Sequence, residues 1–262
     1  MTHRPLQDGG HRATHVLRPY VPSVLEVQSE VRAAFGWSVE ADLRSATALL
    51  QSMVGPAPFG CSGWSPEARA SHLSSLRDTV AGAKRVVVVG AAATREAVLN
   101  DWEQHDVVVA ADGAAGAVPD HLPLAAVVSD LDGAEHLERA VLRRPVVVLH
   151  AHGDNQASWT SCLPRWAQLV PDLPLVLTHQ TPSPLRGAEN PGGFTDGDRA
   201  VCLLLSLGVP ASRLVLVGFN TDRIGAWSGT TDPQRKMAKL VWMAKVLKHL
   251  GAPNLALDED EE

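Results

Sequence analysis

Long apolar runs are missing from this sequence of 262 residues. No stretch approaches the ~18 consecutive apolar residues of a membrane-spanning helix, so no membrane partner is expected. The first residues, Met-Thr-His-Arg-Pro-Leu-Gln-Asp, carry no apolar core of signal-peptide length. Cysteine is scarce: Cys61, Cys162 and Cys202 form an odd set without metal-site spacing. They read as reduced thiols in a cytoplasmic protein rather than as a disulfide framework. Only five lysines occur, and the net charge is −6. Such a chain lacks the basic face that a nucleic acid backbone requires, so nucleic acid is not an expected partner. No Gly-Lys-Ser/Thr step occurs, which removes the P-loop. No internal repeat is found. The seven tryptophans, like His11 and His15, follow no pattern that points to a role.

What is present is enough to bury a core: apolar residues are 45% of the chain. The length suits one large domain, or a main domain with a smaller lobe. The character changes near Ala81–Lys84. Before it, Val24–Phe35, Glu40–Met53 and Pro66–Val80 have helical periodicity. Gly55, Pro56, Pro58, Gly60 and Gly63 separate the second from the third. After it come short runs rich in β-branched residues: Arg85–Val89, Val107–Ala110, Ala125–Ser129, Pro145–His150, Leu175–Thr178 and Leu214–Val217. Helix-length segments lie between most of them. Continuous apolar strands alternating with helices predict parallel βαβ units buried on both faces. The expected fold is therefore α/β, a doubly wound, mostly parallel, Rossmann-like sheet with a helical N-terminal region. The expected organisation is a flexible N-terminus over 1–20, helices over 21–83, an α/β catalytic domain over 84–252 and a disordered acidic tail over 253–262. In that tail Asp258–Glu262 is uninterrupted negative charge.

Open parallel sheets bind ligands beyond the carboxyl ends of their strands. Chemistry-bearing residues follow four of the predicted strands. They are Asp112-Gly113, Asp130-Leu131-Asp132-Gly133, His150-Ala151-His152-Gly153-Asp154-Asn155, and the stretch from Gln180 to Gly193-Phe194-Thr195-Asp196-Gly197-Asp198-Arg199. Asp130 and Asp132 share one face of an extended segment. Paired carboxylates suit a hard, oxygen-seeking cation such as Mg²⁺, which commonly binds substrate phosphates as well. The plainer reading is a turn capped by Asp and closed by Gly133. Thr195 and Asp198 also match an N-cap and capping-box position before the helix from Arg199 to Leu207. The preceding Gly192-Gly193 and an exposed-looking Phe194 favour a loop that approaches a ligand closely.

Gly90–Thr94 is a small-residue loop opening a helix, which is either a phosphate site or close packing. It is not a Gly-x-Gly-x-x-Gly run. Lys236 and Lys239 share a helix face, either solvated or turned to phosphates. His150-x-His152-x-Asp154 is also how metallo-β-lactamase-like hydrolases begin a zinc site. The remaining ligands of such a site are not supplied downstream, where only His179 and His249 follow.

Taken in order, Asp112-Gly113, Ser129–Gly133, His150–Asn155 and Gly193–Ala200 resemble the archaeal-type 6-hydroxymethyl-7,8-dihydropterin diphosphokinases. The likeness extends to Phe35-Gly36, Asp42, Lys236 and Lys239-Leu240, and covers roughly residues 25–250. A more distant similarity is to thiamin pyrophosphokinases, which order an Ala-Asp-Gly, an Asp-x-Asp and a Thr-Asp in the same way. The chain departs from the family at Gly90–Thr94, without Gly-Pro-Ser-Leu character, and at Thr178–Thr181, where Gly-Thr-Thr-Gln is usual. The resemblance implies an ATP-dependent diphosphokinase acting on a pterin alcohol, with Mg²⁺ as cofactor and AMP as product, in folate or methanopterin biosynthesis.

On this reading Asp130 and Asp132, with Asp196 or Asp198, hold the metal. Asp112 supports it or orients the hydroxyl, Arg199 meets phosphate charge, and Asp154 is a candidate base. Gly90, Thr94, His150, His152, Asn155, Gln180, Phe194, Thr195 and Lys236 are the expected nucleotide and substrate contacts. The expected partners are small molecules, and a homo-oligomer is compatible with the sequence. A glycosyltransferase with metal on Asp-x-Asp, a thiamin-type diphosphokinase and a non-catalytic nucleotide sensor are the rival readings.

Overall fold

The computed structural model describes residues 17–229 and 232–251. The expected acidic tail and nearly all of the expected flexible N-terminus lie outside these residues. Three helices come first, α1 (Ser23–Phe35), α2 (Val39–Ser52) and α3 (Pro66–Gly82). Strands and helices then alternate: β1 (Val86–Val89), α4 (Arg95–Asp101), β2 (Val107–Ala111), β3 (Leu124–Ser129), α5 (Ala134–Val141), β4 (Val146–Ala151), α6 (Gln156–Leu169), β5 (Leu175–His179), α7 (Asp196–Ser206), β6 (Leu214–Val217) and α8 (Pro233–His249). The six strands form one sheet in the order β5-β4-β3-β2-β1-β6, and every pairing is parallel. All six expected strands are present, with ends displaced by at most one residue.

Alternation within each strand feeds two cores. Val87, Val89, Val108, Val127, Val147 and Leu149 point to the side covered by α2, α4, α5 and α6. Val86, Val88, Val109, Val128, Val148 and Val176 point to the side of α1, α3, α7 and α8. The N-terminal helices thus serve both cores. The chain passes from one face to the other beside β5, where the fully buried Trp64 donates its indole N–H to the Leu173 carbonyl at 2.8 Å. α2 starts where Ser38 caps it, accepting from Ala41 N–H at 3.0 Å.

The sheet runs steadily from β1 to β5 and then returns across itself to place β6 beside β1. All carboxyl ends therefore open on one edge. β2, β4 and β5 each run one residue beyond expectation, so Asp112, His152 and Gln180 are the first residues past their strands. Among the described residues no helix is long and apolar enough to cross a membrane.

Candidate active site

Three carboxylates from three elements converge at that edge. Asp112 leaves β2, Asp130 leaves β3 and Asp196 opens α7. One oxygen of each lies within 4.8 Å of the others. The turns that deliver them interlock. Ser129 donates its hydroxyl to Asp112 Oδ1 at 2.6 Å and accepts from Leu131 N–H at 2.8 Å. Asp132 N–H donates to Asp130 Oδ1 at 3.2 Å. Asp112 (φ 47°) and Leu131 (φ 74°) both take the left-handed backbone conformation, a strain that collects at functional sites. Gly133 is required by proximity: a Cβ there would stand 2.4 Å from Asp112 Oδ2 and 2.6 Å from Gly113 N.

The other two expected metal residues are placed differently. Asp132 is exposed at the cavity rim, outside the group of three. Asp198 is fully buried and turned to the backbone. It accepts from Phe194 N–H at 2.9 Å, and from Thr195 N–H and Thr195 Oγ1, both at 2.6 Å. It is the third residue of α7 and closes the capping box whose N-cap is Thr195, and those three bonds use the carboxylate. Among the described residues no converging group of three contains a histidine, so the His-x-His-x-Asp run does not assemble a zinc site.

Burial and mutual repulsion set the electrostatics of the cluster. Burial and the nearby Asp130 charge push Asp112 up to about 7. The same two causes push Asp196 well above the usual carboxylate range. Burial also works to raise Asp130, but hydrogen bonding and charge from His152, with Arg199 and Lys239, hold it well below that range. His152 Nε2 lies 3.2 Å from Asp130 Oδ2, and its Nδ1 lies 2.7 Å from Asp154 Oδ1. Burial opposes the imidazolium, yet these two carboxylates raise it to about 9. Asp154 is lowered by its bond to His152 and remains exposed.

Behind this shell lies a scaffold. His150, expected at a ligand, is buried away from the cavity, with Thr178 Oγ1 at 3.1 Å and Gln180 Oε1 at 3.3 Å. Asn155 is buried too. Its Nδ2 donates to the carbonyls of Asp130 (3.0 Å) and His150 (2.6 Å), and its Oδ1 accepts from His152 N–H (3.0 Å). It fixes the β3 and β4 ends against each other. Thr94, expected in a phosphate loop, is the exposed cap of α4 and accepts from Ala97 N–H at 3.0 Å. The loop reaches the cavity through Gly90–Ala92 instead. Gly90 packs so closely that a Cβ would lie 2.7 Å from the Gly218 carbonyl. Gln180 and Arg199 do line the cavity. Arg199 donates to Asp196 Oδ1 and to Gln180 Oε1, both at 3.1 Å, while its buried Nε has no partner among the described residues.

The cavity holds about 330 Å³. Phe194, expected to be exposed, is 6% exposed and packs 5.9 Å from Trp37 and 6.0 Å from Phe35. Arg235 lies 5.0 Å over the Trp37 ring, and Lys239 stands 6.0 Å over Phe194. Burial lowers Lys239, against the pull of Asp130. Lys236 lines the same wall, and Thr195 flanks it. Several lining residues carried no sequence reading: Trp37, Phe219, Asn220, Arg223, Trp227 and Arg235. Gly218-Phe219-Asn220 follows β6, so the rule that found four strand ends would have found this fifth.

No family model matches the chain. Curated relatives do. The chain is 38% identical over 176 residues to the 6-hydroxymethyl-7,8-dihydropterin pyrophosphokinase of Pyrococcus furiosus, covering 64% of this chain and 72% of that protein. The chain belongs to that family. It is also 38% identical over 155 residues to the pyrophosphokinase of the same name from Methanothermobacter thermautotrophicus, covering 55% and 62% of the two chains. For that of Methanocaldococcus jannaschii the figures are 30% over 156 residues, 56% and 63%. Membership makes this chain a diphosphokinase.

Proposed function

We propose that this enzyme transfers diphosphate from ATP to 6-hydroxymethyl-7,8-dihydropterin, with Mg²⁺ held by Asp112, Asp130 and Asp196. The observation that carries the reading is the convergence of those three carboxylates in a cavity walled by cations. Their chemistry fits a hard cation: all the donors are oxygens, and burial crowds like charges that a divalent ion would relieve. Bound there, Mg²⁺ supplies charge neutralisation across the phosphate oxygens. Asp132, exposed at the rim, would offer a further oxygen donor to such an ion.

In the reaction the pterin hydroxyl oxygen bonds to the β-phosphorus of ATP. The bond to the oxygen bridging the α- and β-phosphorus breaks, AMP leaves with that oxygen, and the hydroxyl proton passes to solvent. Such a transfer asks for in-line positioning and fixed charge rather than covalent help. Arg199 is pinned by Asp196 and Gln180, so its guanidinium meets phosphate without reorganising. Lys236, Lys239 and the His152 cation add positive charge on the same side. The diphosphate product carries an activated arm ready for displacement, as the building of folate or methanopterin requires.

Incubation with ATP, Mg²⁺ and the pterin alcohol is expected to give AMP and pterin diphosphate in equal amounts. Asp130→Ala and Asp196→Ala should each lower kcat by at least ~10³-fold while the chain still melts cooperatively. Activity retained in both variants, or ADP formed instead of AMP, overturns the proposal.

A further inference from the structure

The cavity holds a second polar centre that the transfer chemistry leaves unused. Asp42, in the first turns of α2, is 3% exposed yet lines the cavity. Its Oδ1 accepts from Gly153 N–H and its Oδ2 from Gln180 Nε2, each at 2.9 Å, with Arg32 at 3.5 Å. An ionised carboxylate has about four lone-pair positions, so this buried anion keeps acceptor capacity. Just before α2, Trp37 lines the cavity with one ring stacked on Phe35 at 4.8 Å and the Arg235 side chain 5.0 Å over it, which an acceptor ring would displace. Gln180 and Arg199 connect Asp42 in relay to Asp196. The anion therefore stands two bridging side chains from Asp196, a proposed metal ligand.

The opposite wall is chemically unlike it. Gly90–Ala92 and Gly218–Asn220 offer small residues and backbone, with Arg223 nearby, and no buried carboxylate. That wall suits a polyanion and repels nothing. Asp42 would repel one. The two heterocycles of the reaction also differ at their edges. Adenine sets an amino donor between ring-nitrogen acceptors, which a carboxylate can satisfy only once. Pterin sets its amino group beside a ring N–H, two donors in a row that match both oxygens of a carboxylate.

We infer that Asp42 reads the amino and ring N–H edge of the acceptor pterin, with Trp37 as its stacking face. The acceptor then enters at the α2 end and ATP at the β1–β6 end. This rests on the function proposed above and adds which residues select the acceptor. Asp42 is thus a specificity residue, distinct from the charge-bearing cluster.

The test uses the full chain and two acceptors: the pterin alcohol, and its analogue with the ring amino group replaced by oxygen. Wild type should prefer the pterin by roughly 10²-fold in kcat/KM, because the analogue leaves a buried acceptor unpaired. In Asp42→Asn that preference should fall at least about 10-fold, with KM for ATP within about 2-fold of wild type. Trp37→Ala should raise the acceptor KM about 10-fold or more, again sparing ATP. An unchanged preference in Asp42→Asn, or a rise in KM for ATP in place of the acceptor, overturns the inference. If Asp42→Asn does not fold, the KM split in Trp37→Ala decides. Wild type that releases no AMP with this acceptor sinks the parent reading instead.

Discussion

Asp196 and Asp198 sit two positions apart in the first turn of α7 and meet different partners. Asp196 joins Asp112 and Asp130, whereas Asp198 holds three donors of the Phe194–Thr195 backbone and hydroxyl. Asp198→Ala is expected to cost about 2 kcal/mol or more of stability, because it strands buried N–H groups. Urea unfolding checks this, and Asp196→Ala should show the contrast of a lost activity with a small stability change. His179 is a second residue with a measurable signature. It is 1% exposed, burial lowers it to about 4, and its Nδ1 accepts from Thr181 N–H at 3.1 Å. Above its ordinary value of 6.5 the ring is neutral folded or unfolded, and stability does not depend on it. As pH falls from 6.5 towards 4 the unfolded chain takes up a proton that the folded ring refuses, so stability declines. The full span corresponds to about 3 kcal/mol. The difference in unfolding free energy between wild type and His179→Gln, followed across that range, should trace this decline.

At the level of elements, the strand-to-loop turns deliver the clustered carboxylates, and glycine decides their geometry. The Asp112-Gly113 and Asp130–Gly133 turns touch so closely that Gly133→Ala would drive a methyl into Asp112. Such a variant should keep its circular dichroism and lose at least ~10²-fold in kcat through displaced carboxylates. The strands were legible because each is an unbroken apolar run, and the four acidic or polar ends followed from them. The return crossing to β6 was not used in the same way. It brings Phe219, Asn220 and Arg223 to the cavity and lays Trp227 across the β1 loop. There the Trp227 indole donates to Ala93 O at 2.8 Å and its backbone N–H to Ala91 O at 3.1 Å. A lone tryptophan between glycines has no periodicity, so nothing local marks it.

For the molecule as a whole, the sheet's two cores both draw on the N-terminal helices. α1 and α3 fill one side and α2 the other, and α2 also brings Asp42 to the cavity. Urea unfolding of the whole chain should therefore be one transition, with tryptophan fluorescence (Trp64 and Trp166 are fully buried) and far-ultraviolet circular dichroism coinciding. Two separated midpoints would mean that the helices before Lys84 unfold on their own.

The sequence by itself determined the parallel α/β sheet, its strand positions and the Asp-Gly, Asp-x-Asp-Gly and Thr-Asp-Gly-Asp turns, because these depend on local period and turn chemistry. It could not say which aspartates meet. Asp112, Asp130 and Asp196 are distant in sequence, and only the strand order puts their oxygens within 4.8 Å. Nor could it separate Asp196 from Asp198, since capping and ligation ask for the same residue at nearly the same place. That choice was made by packing, which turned one carboxylate to the backbone and left the other facing the cavity.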